Sequence, residues 1–489
     1  MISCVGSAGV ISNAGDIKKI ENNGNLNFFI KDTNLGQDTF EKQSALDTEK
    51  KPAIAEKAKK MLEYIFKLIN GFNADKKEDE QLVRLITDSF KSTPEGIRRM
   101  RLSNEEIKAE AQTLFNKSFD ILGVPDNLRP ELKILTAAKS HSLGGLYTNS
   151  IHGIILNHKS YRDGLLELDN AIMHEATHCK EALIRTGIPQ DEVDETVKNG
   201  LVSKIKNGEN KQIQYRIFEN DNPVMIESVK IPYEMQNDFI DFAKENLYIK
   251  SKELEETLQN YCDNKIGFED LKKKPYTLEI ISKLNSMVKN HPEYVNQYQN
   301  EEEAFNNLFK YAISHNARYN LYTDTTVSNL RGDKVKIPEL KGDELEYAKK
   351  SLTDMIKTHE ATASLLYGGD TSSESIAQYL FSPEEILAEK NGHGFLIDNF
   401  TKKLEEKRKE NSLSEFDELY LKDAIETSKN ILDLKIRGME YSEKLQENPE
   451  NKELRKNLQK IIKKLLEGAE VNFVEENEIP SEFLAKMRA

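Results

Sequence analysis

The chain has no tryptophan, only three cysteines and no long apolar run, and each absence closes off a class of protein. Cys4, Cys179 and Cys262 are an odd number at wide spacing, so neither a disulfide framework nor a cysteine-based zinc knuckle is expected. No apolar stretch approaches the roughly 20 residues needed to cross a bilayer, so no membrane span is expected. Residues 1–15 are small and mildly apolar but lack a basic start; a secretory signal is not indicated, and a cytoplasmic location is the default. Positive charge is also short: a net charge of -14 argues against a nucleic-acid partner and favours neutral or basic substrates.

What remains is a soluble, helix-rich pattern, 31% charged and 38% hydrophobic over 489 residues, long enough for two or three domains. Residues 1–48 are polar and show no sustained period, which predicts a disordered tail. Residues 49–125 carry apolar side chains at helical spacing over 53–72, 78–90 and 104–122, predicting a helical module that ends near Gly123-Val124-Pro125. Residues 126–322 mix strands and helices, with hairpins expected at 144–157 and 212–231. Residues 323–489 read as a helical C-terminal domain entered through an irregular break at 323–341. Its lysine-rich stretches are solvated helix faces. The fold class expected is α+β, predominantly helical, with a small antiparallel sheet.

The chemistry concentrates in His174-Glu175-Ala176-Thr177-His178. Residues four apart on a helix project from one face a turn apart, so two imidazoles can share one metal ion while Glu175 stands beside it as a base. Asp169-Asn170 can cap the start of this helix and Gly187 can stop it. Cys179 points off the histidine face as a small buried filler. Upstream, Gly144-Gly145-Leu146-Tyr147 and Gly153-Ile154-Ile155-Leu156-Asn157 predict a hairpin whose second strand holds the Ile-Ile-Leu run.

With the hairpin preceding it, the His-Glu-x-x-His helix resembles the zincin metallopeptidases. That resemblance implies a zincin-like core, a Zn2+ cofactor and a peptide or protein substrate that adds as a strand to the sheet edge, where Gly145, Ile154 and Ile155 would contact it. It also implies Glu175 as general base. A catalytic zinc needs a third protein ligand. The metzincin continuation would require Gly at 181 and His at 184, where this chain has Glu181 and Ile184. The resemblance is therefore to gluzincins, whose third ligand is a Glu on a later helix, commonly in a Glu-x-x-Ala phrase. Glu301 and Glu385 both fit. Glu301 is preferred because it needs the shorter insertion. Glu385 is the alternative, with the cleaner helix start at Ser382-Pro383, and Glu192 or Glu195 lack the phrase.

Tyr298, Tyr379 and His315 are candidates for oxyanion stabilisation; His152 and His158 flank the hairpin strand and could meet substrate. His359-Glu360-Ala361-Thr362-Ala363 repeats the motif but ends in alanine, so it cannot form the same pair. Two other readings stay open: a non-enzymatic helical interaction protein that keeps a zincin-like fold with a vestigial or structural metal, and a self-processing or effector-type protease.

Overall fold

In the computed structural model the described residues are 103–135, 145–157, 168–206, 212–219, 222–329, 331–367, 373–413, 415–448 and 450–466. The tail over 1–48 and the helices expected at 53–72 and 78–90 lie outside them, as does His158.

The protein is predominantly helical with a small mixed sheet. Helix α1 (Asn104–Leu122) starts at a capping box, in which Ser103 accepts from Glu106 N while the Glu106 carboxylate accepts from Ser103 N. It stops at Gly123, whose φ of 71° is left-handed and therefore suits glycine. Strands β1 (Glu131–Leu135), β2 (Gly145–Thr148) and β3 (Gly153–Asn157) pair in the order β1-β3-β2, with β1 parallel and β2 antiparallel to β3.

Helix α2 (Leu168–Thr186) carries the His-Glu-x-x-His motif and is the axis of the molecule: only Asn170, His174 and Thr186 along it are not fully buried. Such all-round burial means that elements cover it on every side. Helix α1 and the sheet pack on one face through Phe115, Phe119, Ile154 and Leu156. Helices α3 (Gln190–Lys206) and α10 (Asp343–Tyr367) meet its C-terminal end through Ile184, Val193, Val197 and Leu352. Its most extensive partner is α12 (Pro383–Lys409).

Helix α2 ends at Thr186, directly before Gly187 as expected, though the glycine does not adopt a left-handed φ. Gly187 is needed for space, since a Cβ there would lie 2.8 Å from Leu340 Cγ and 3.0 Å from Pro338 O. It accepts from Leu340 N at 2.8 Å, which ties down the irregular 324–342 segment.

A second apolar core lies beside this assembly. It joins the hairpin β4 (Gln212–Glu219) and β5 (Asn222–Lys230) to α4 (Tyr233–Asn246), α5 (Lys252–Cys262), α6 (Phe268–Lys272), α7 (Pro275–Asn290), α8 (Pro292–Val295) and α9 (Glu301–Thr323). Helix α11 (Ser373–Leu380) leads into α12, which is backed by α13 (Glu415–Glu447) and α14 (Lys452–Leu466). The boundary expected at 322/323 therefore falls between two helices, α2 and α12, that pack face to face.

Candidate metal centre

The 3.6-residue period brings His174 and His178 together, with their Nε2 atoms 3.2 Å apart. Helix α12 delivers the third group. Glu385 Oε2 lies 3.5 Å from His174 Nε2 and Glu385 Oε1 lies 3.6 Å from His178 Nε2. Two ligands of a tetrahedral zinc, each about 2.0–2.1 Å from the ion, stand about 3.3 Å apart. The imidazole pair and each carboxylate contact are near that length, with the two Glu385 oxygens facing one ring each, and one donor atom from each residue lies within 4.8 Å of the others. The group could hold a metal ion.

Pro383 at the first position of α12 puts Glu384 and Glu385 in its first turn, where the helix dipole favours carboxylates. Ser382 stands at the cap position, but its hydroxyl donates back to Tyr379 O instead of capping. Ala388 is fully buried, and at Gly392 a Cβ would come within 2.8 Å of Asn170 O. The missing side chain at Gly392 lets α12 lie close on α2. Asn391 donates to Thr177 Oγ1 at 3.1 Å and Asn399 to Asp169 Oδ1 at 2.7 Å, fixing the register of the pair.

Glu301, preferred on the sequence, is corrected by this arrangement. It is exposed in the first turn of α9, a helix whose apolar face belongs to the second core. The Glu301-Glu302-Glu303 run serves the helix start instead: Glu303 N donates to the Asn300 cap at 2.9 Å, and the Glu303 carboxylate accepts from Gln299 N at 2.8 Å. Glu192 pairs with Lys349 and Glu195 is exposed, so neither joins the histidines.

Glu175 is 3% exposed, and its Oε2 accepts from Tyr147 N at 2.8 Å. Burial raises its pKa against the pull of both histidines. Because Tyr147 N is committed to Glu175, it does not face β3. The alternation of an antiparallel pair then turns the Gly145 N–H the same way, toward the side of β2 where Glu175 lies. A Cβ on Gly145 would sit 3.0 Å from Glu175 Cγ, so a glycine is what lets the carboxylate reach this strand.

The expected contact role of Ile154 and Ile155 does not hold. They lie on β3, the central strand, whose backbone is paired on both sides, and they are 0% and 1% exposed. Among the described strands of this sheet the edges are β1 and β2, and all four residues of β2 are buried. His152 is structural too: its Nε2 lies 2.9 Å from Leu128 O and its Nδ1 3.2 Å from Tyr147 OH, holding a buried turn with φ 42°.

Tyr298 and His315 belong to the second core and Tyr379 to the apolar cluster under α12 and α14; none joins the histidine pair. Cys179 is fully buried, as expected, and burial pushes its thiol far above the ordinary range. The repeated His359-Glu360 letters serve packing. Glu360 accepts from Arg318 at 3.1 Å and from Tyr322 OH at 2.6 Å, joining α9 to α10.

Glu175, Glu384, Glu385 and Glu389 bring four carboxylates, against which stand Arg185 on Glu384 (3.0 Å) and Lys435 on Glu389 (2.9 Å). Two negative charges are left over. Without an ion the histidines carry the compensation: burial opposes their charge, but Glu384, Glu385 and Glu175 outweigh it and lift His178 to about 9, and Glu385 with Glu175 raises His174 in the same sense. A metal ion and protons compete for the same nitrogens.

Glu384, Arg185, Glu389 and Lys435 carry no motif of their own. Arg185 lies seven residues from His178, the same face two turns on, and Glu384 adjoins Glu385. Their importance shows only once α2 and α12 are side by side. Compared with protein-family models, with curated proteins and with solved structures, the chain matches none.

Proposed function

We propose that the protein is a zinc-dependent peptidase of the gluzincin type, with His174, His178 and Glu385 holding the metal and Glu175 as general base. The reading rests on the convergence of these three donors next to a buried carboxylate anchored on the backbone of the edge strand β2. A two-imidazole, one-carboxylate set suits zinc, which when bound supplies Lewis-acid polarisation of the scissile carbonyl and acidifies water at the site.

The remaining chemistry belongs to the chain. Glu175 takes a proton from the attacking water and passes it to the departing amine, and its burial-raised pKa makes it a stronger base than an exposed glutamate. The Tyr147 N–H fixes the carboxylate's direction. With the Tyr147 N–H held by Glu175, the Gly145 backbone and the Tyr147 carbonyl are the groups left to meet an extended peptide, so the substrate lies along β2 beside Glu175.

Purified protein should contain one zinc per chain and cleave an unstructured protein substrate. Glu175→Gln should keep the zinc and lose cleavage, and a wild-type protein that takes up no metal at micromolar zinc would sink the proposal. The low exposure of the cluster, 13% for the His174 side chain and 4% for Glu385, favours a structural ion as the second reading. Stoichiometric zinc without cleavage of any peptide library would select it.

A further inference from the structure

Glu384 and Glu385 are consecutive, yet they face opposite edges of one imidazole. Glu385 Oε1 is 3.6 Å from His178 Nε2, on the metal side, and Glu384 Oε1 is 3.5 Å from His178 Nδ1, on the far side. Glu384 is therefore turned away from the position an ion would take, and it is no ligand. The same Oε1 accepts from Arg185 NH1 at 3.0 Å, and that NH1 also reaches Ser351 Oγ at 3.2 Å. Ser351 Oγ donates to Glu181 Oε2 at 2.6 Å, while Glu181 Oε1 accepts from Tyr347 OH at 2.9 Å. Glu384, Arg185, Ser351 and Glu181 are all under 9% exposed.

Burying an arginine and a second glutamate beside Glu385 is costly, and a buried pair of this kind is often no more stable than apolar side chains of the same size. Stability alone therefore gives a weak reason for it. A metal-holding imidazole gives a stronger one. Such a ring must present one nitrogen without a proton, and the hydrogen bond made by its other N–H decides which nitrogen that is. An ionised Glu384 can only accept, so it selects the tautomer with the proton on Nδ1 and leaves Nε2 for the ion. Arg185, fixed by Ser351, keeps that acceptor charged and aimed.

We infer that Arg185 and Glu384 form a clamp that orients His178 for metal binding, acting as positioning residues behind the ligand set. The inference rests on the reading of His174, His178 and Glu385 as a metal centre. The clamp grips His178 alone among the two histidines.

The test measures zinc affinity by competition with a chromophoric chelator and apo-protein melting, for wild type, Arg185→Met/Glu384→Gln and Glu384→Asp. The double variant removes both charges of the pair together, so neither is left without the other. Glu384→Asp keeps a charged partner for Arg185 but withdraws it from the ring. Both variants should weaken zinc binding by about 10- to 100-fold, with the apo melting temperature of the double variant at or above wild type, and should alter the visible spectrum of the cobalt(II)-substituted protein. Zinc affinity within twofold of wild type in either folded variant overturns the clamp while leaving the metal centre standing. A wild-type protein that binds no zinc removes the metal centre itself, and the clamp with it.

Discussion

Replacing Gly392 by alanine should destabilise the protein even though alanine is the better helix former. Gly392 lies in the interior of α12, where an exposed Gly→Ala change would gain about 1 kcal/mol. Here the added Cβ would stand 2.1 Å from Asn170 Oδ1 and 2.8 Å from Asn170 O on α2. The amide can swing aside, at the cost of the contact between its Nδ2 and His393 Nε2, which now measures 3.5 Å. The backbone oxygen cannot swing, so α12 must back away by roughly half an ångström to reach van der Waals distance.

Overpacking of this kind costs about 1–3 kcal/mol, more than the propensity gain, and leaves a net loss near 2 kcal/mol at the upper end. In a cooperative unit of about 150–250 residues that lowers the melting temperature by roughly 4–8 °C. Because Glu385 rides on the same helix two turns away, zinc affinity should fall as well. Gly200 in α3 is the internal control: a Cβ there meets only Ile356 Cδ1 at 3.4 Å, an ordinary contact. Gly200→Ala should gain about 0.5–1 kcal/mol. Differential scanning calorimetry of the two variants, with and without zinc, decides the matter. A Gly392→Ala protein as stable as wild type, with unaltered zinc affinity, would refute close packing of α2 and α12 as the reason for the glycine.

Further outcomes follow from the same geometry. Glu385→Ala should abolish stoichiometric zinc uptake measured by elemental analysis, whereas Glu301→Ala should leave it intact; the reverse result would restore the assignment preferred on the sequence. Gly145→Ala should push on the Glu175 carboxylate and cut peptide cleavage by an order of magnitude or more while retaining zinc, and equal rates would show that the close approach to β2 is irrelevant to the base. His315 is 1% exposed with no hydrogen-bond partner for Nδ1 among the described residues, and burial depresses its pKa to about 3. The unfolded chain binds this proton first, so its contribution is complete above about pH 6.5 and is lost at about 1.4 kcal/mol per unit as pH falls toward 3. His315→Phe should flatten that part of the stability profile in urea melts between pH 6.5 and 4; an unchanged slope would show that His315 is not held neutral.

The sequence was most informative where a signal is local. Helix α1 begins and ends where its capping box and Gly123 place it, and the β4–β5 hairpin spans the alternation read at Ile213, Tyr215 and Ile217. The irregular break after α9 and the one-turn spacing of His174 and His178 were equally plain. The β2–β3 hairpin was legible as well, but not the position of β3 in its sheet. That position depends on β1, which joins from the other side in parallel and makes the Ile-Ile-Leu strand the centre of the sheet, with β1 and β2 as its edges. A hydrophobic strand reads alike at the centre and at a buried edge.

The third carboxylate shows the same limit more sharply. Glu301 and Glu385 carry similar phrases, and helical period and capping describe each helix from within; neither says which helix will lie against α2. That choice was made by side-chain volumes at a distance. Gly392 leaves room where Asn170 comes close and Asn391 bonds Thr177, so α12, 207 residues after His178 at Glu385, docks on α2, while the aromatic face of α9 is absorbed by its own core. The sequence by itself determined a helix able to offer two imidazoles to one ion. Only tertiary packing decided which acid completes the group and which ion pair steadies it, because those contacts join residues whose separation along the chain bears no relation to their distance in space.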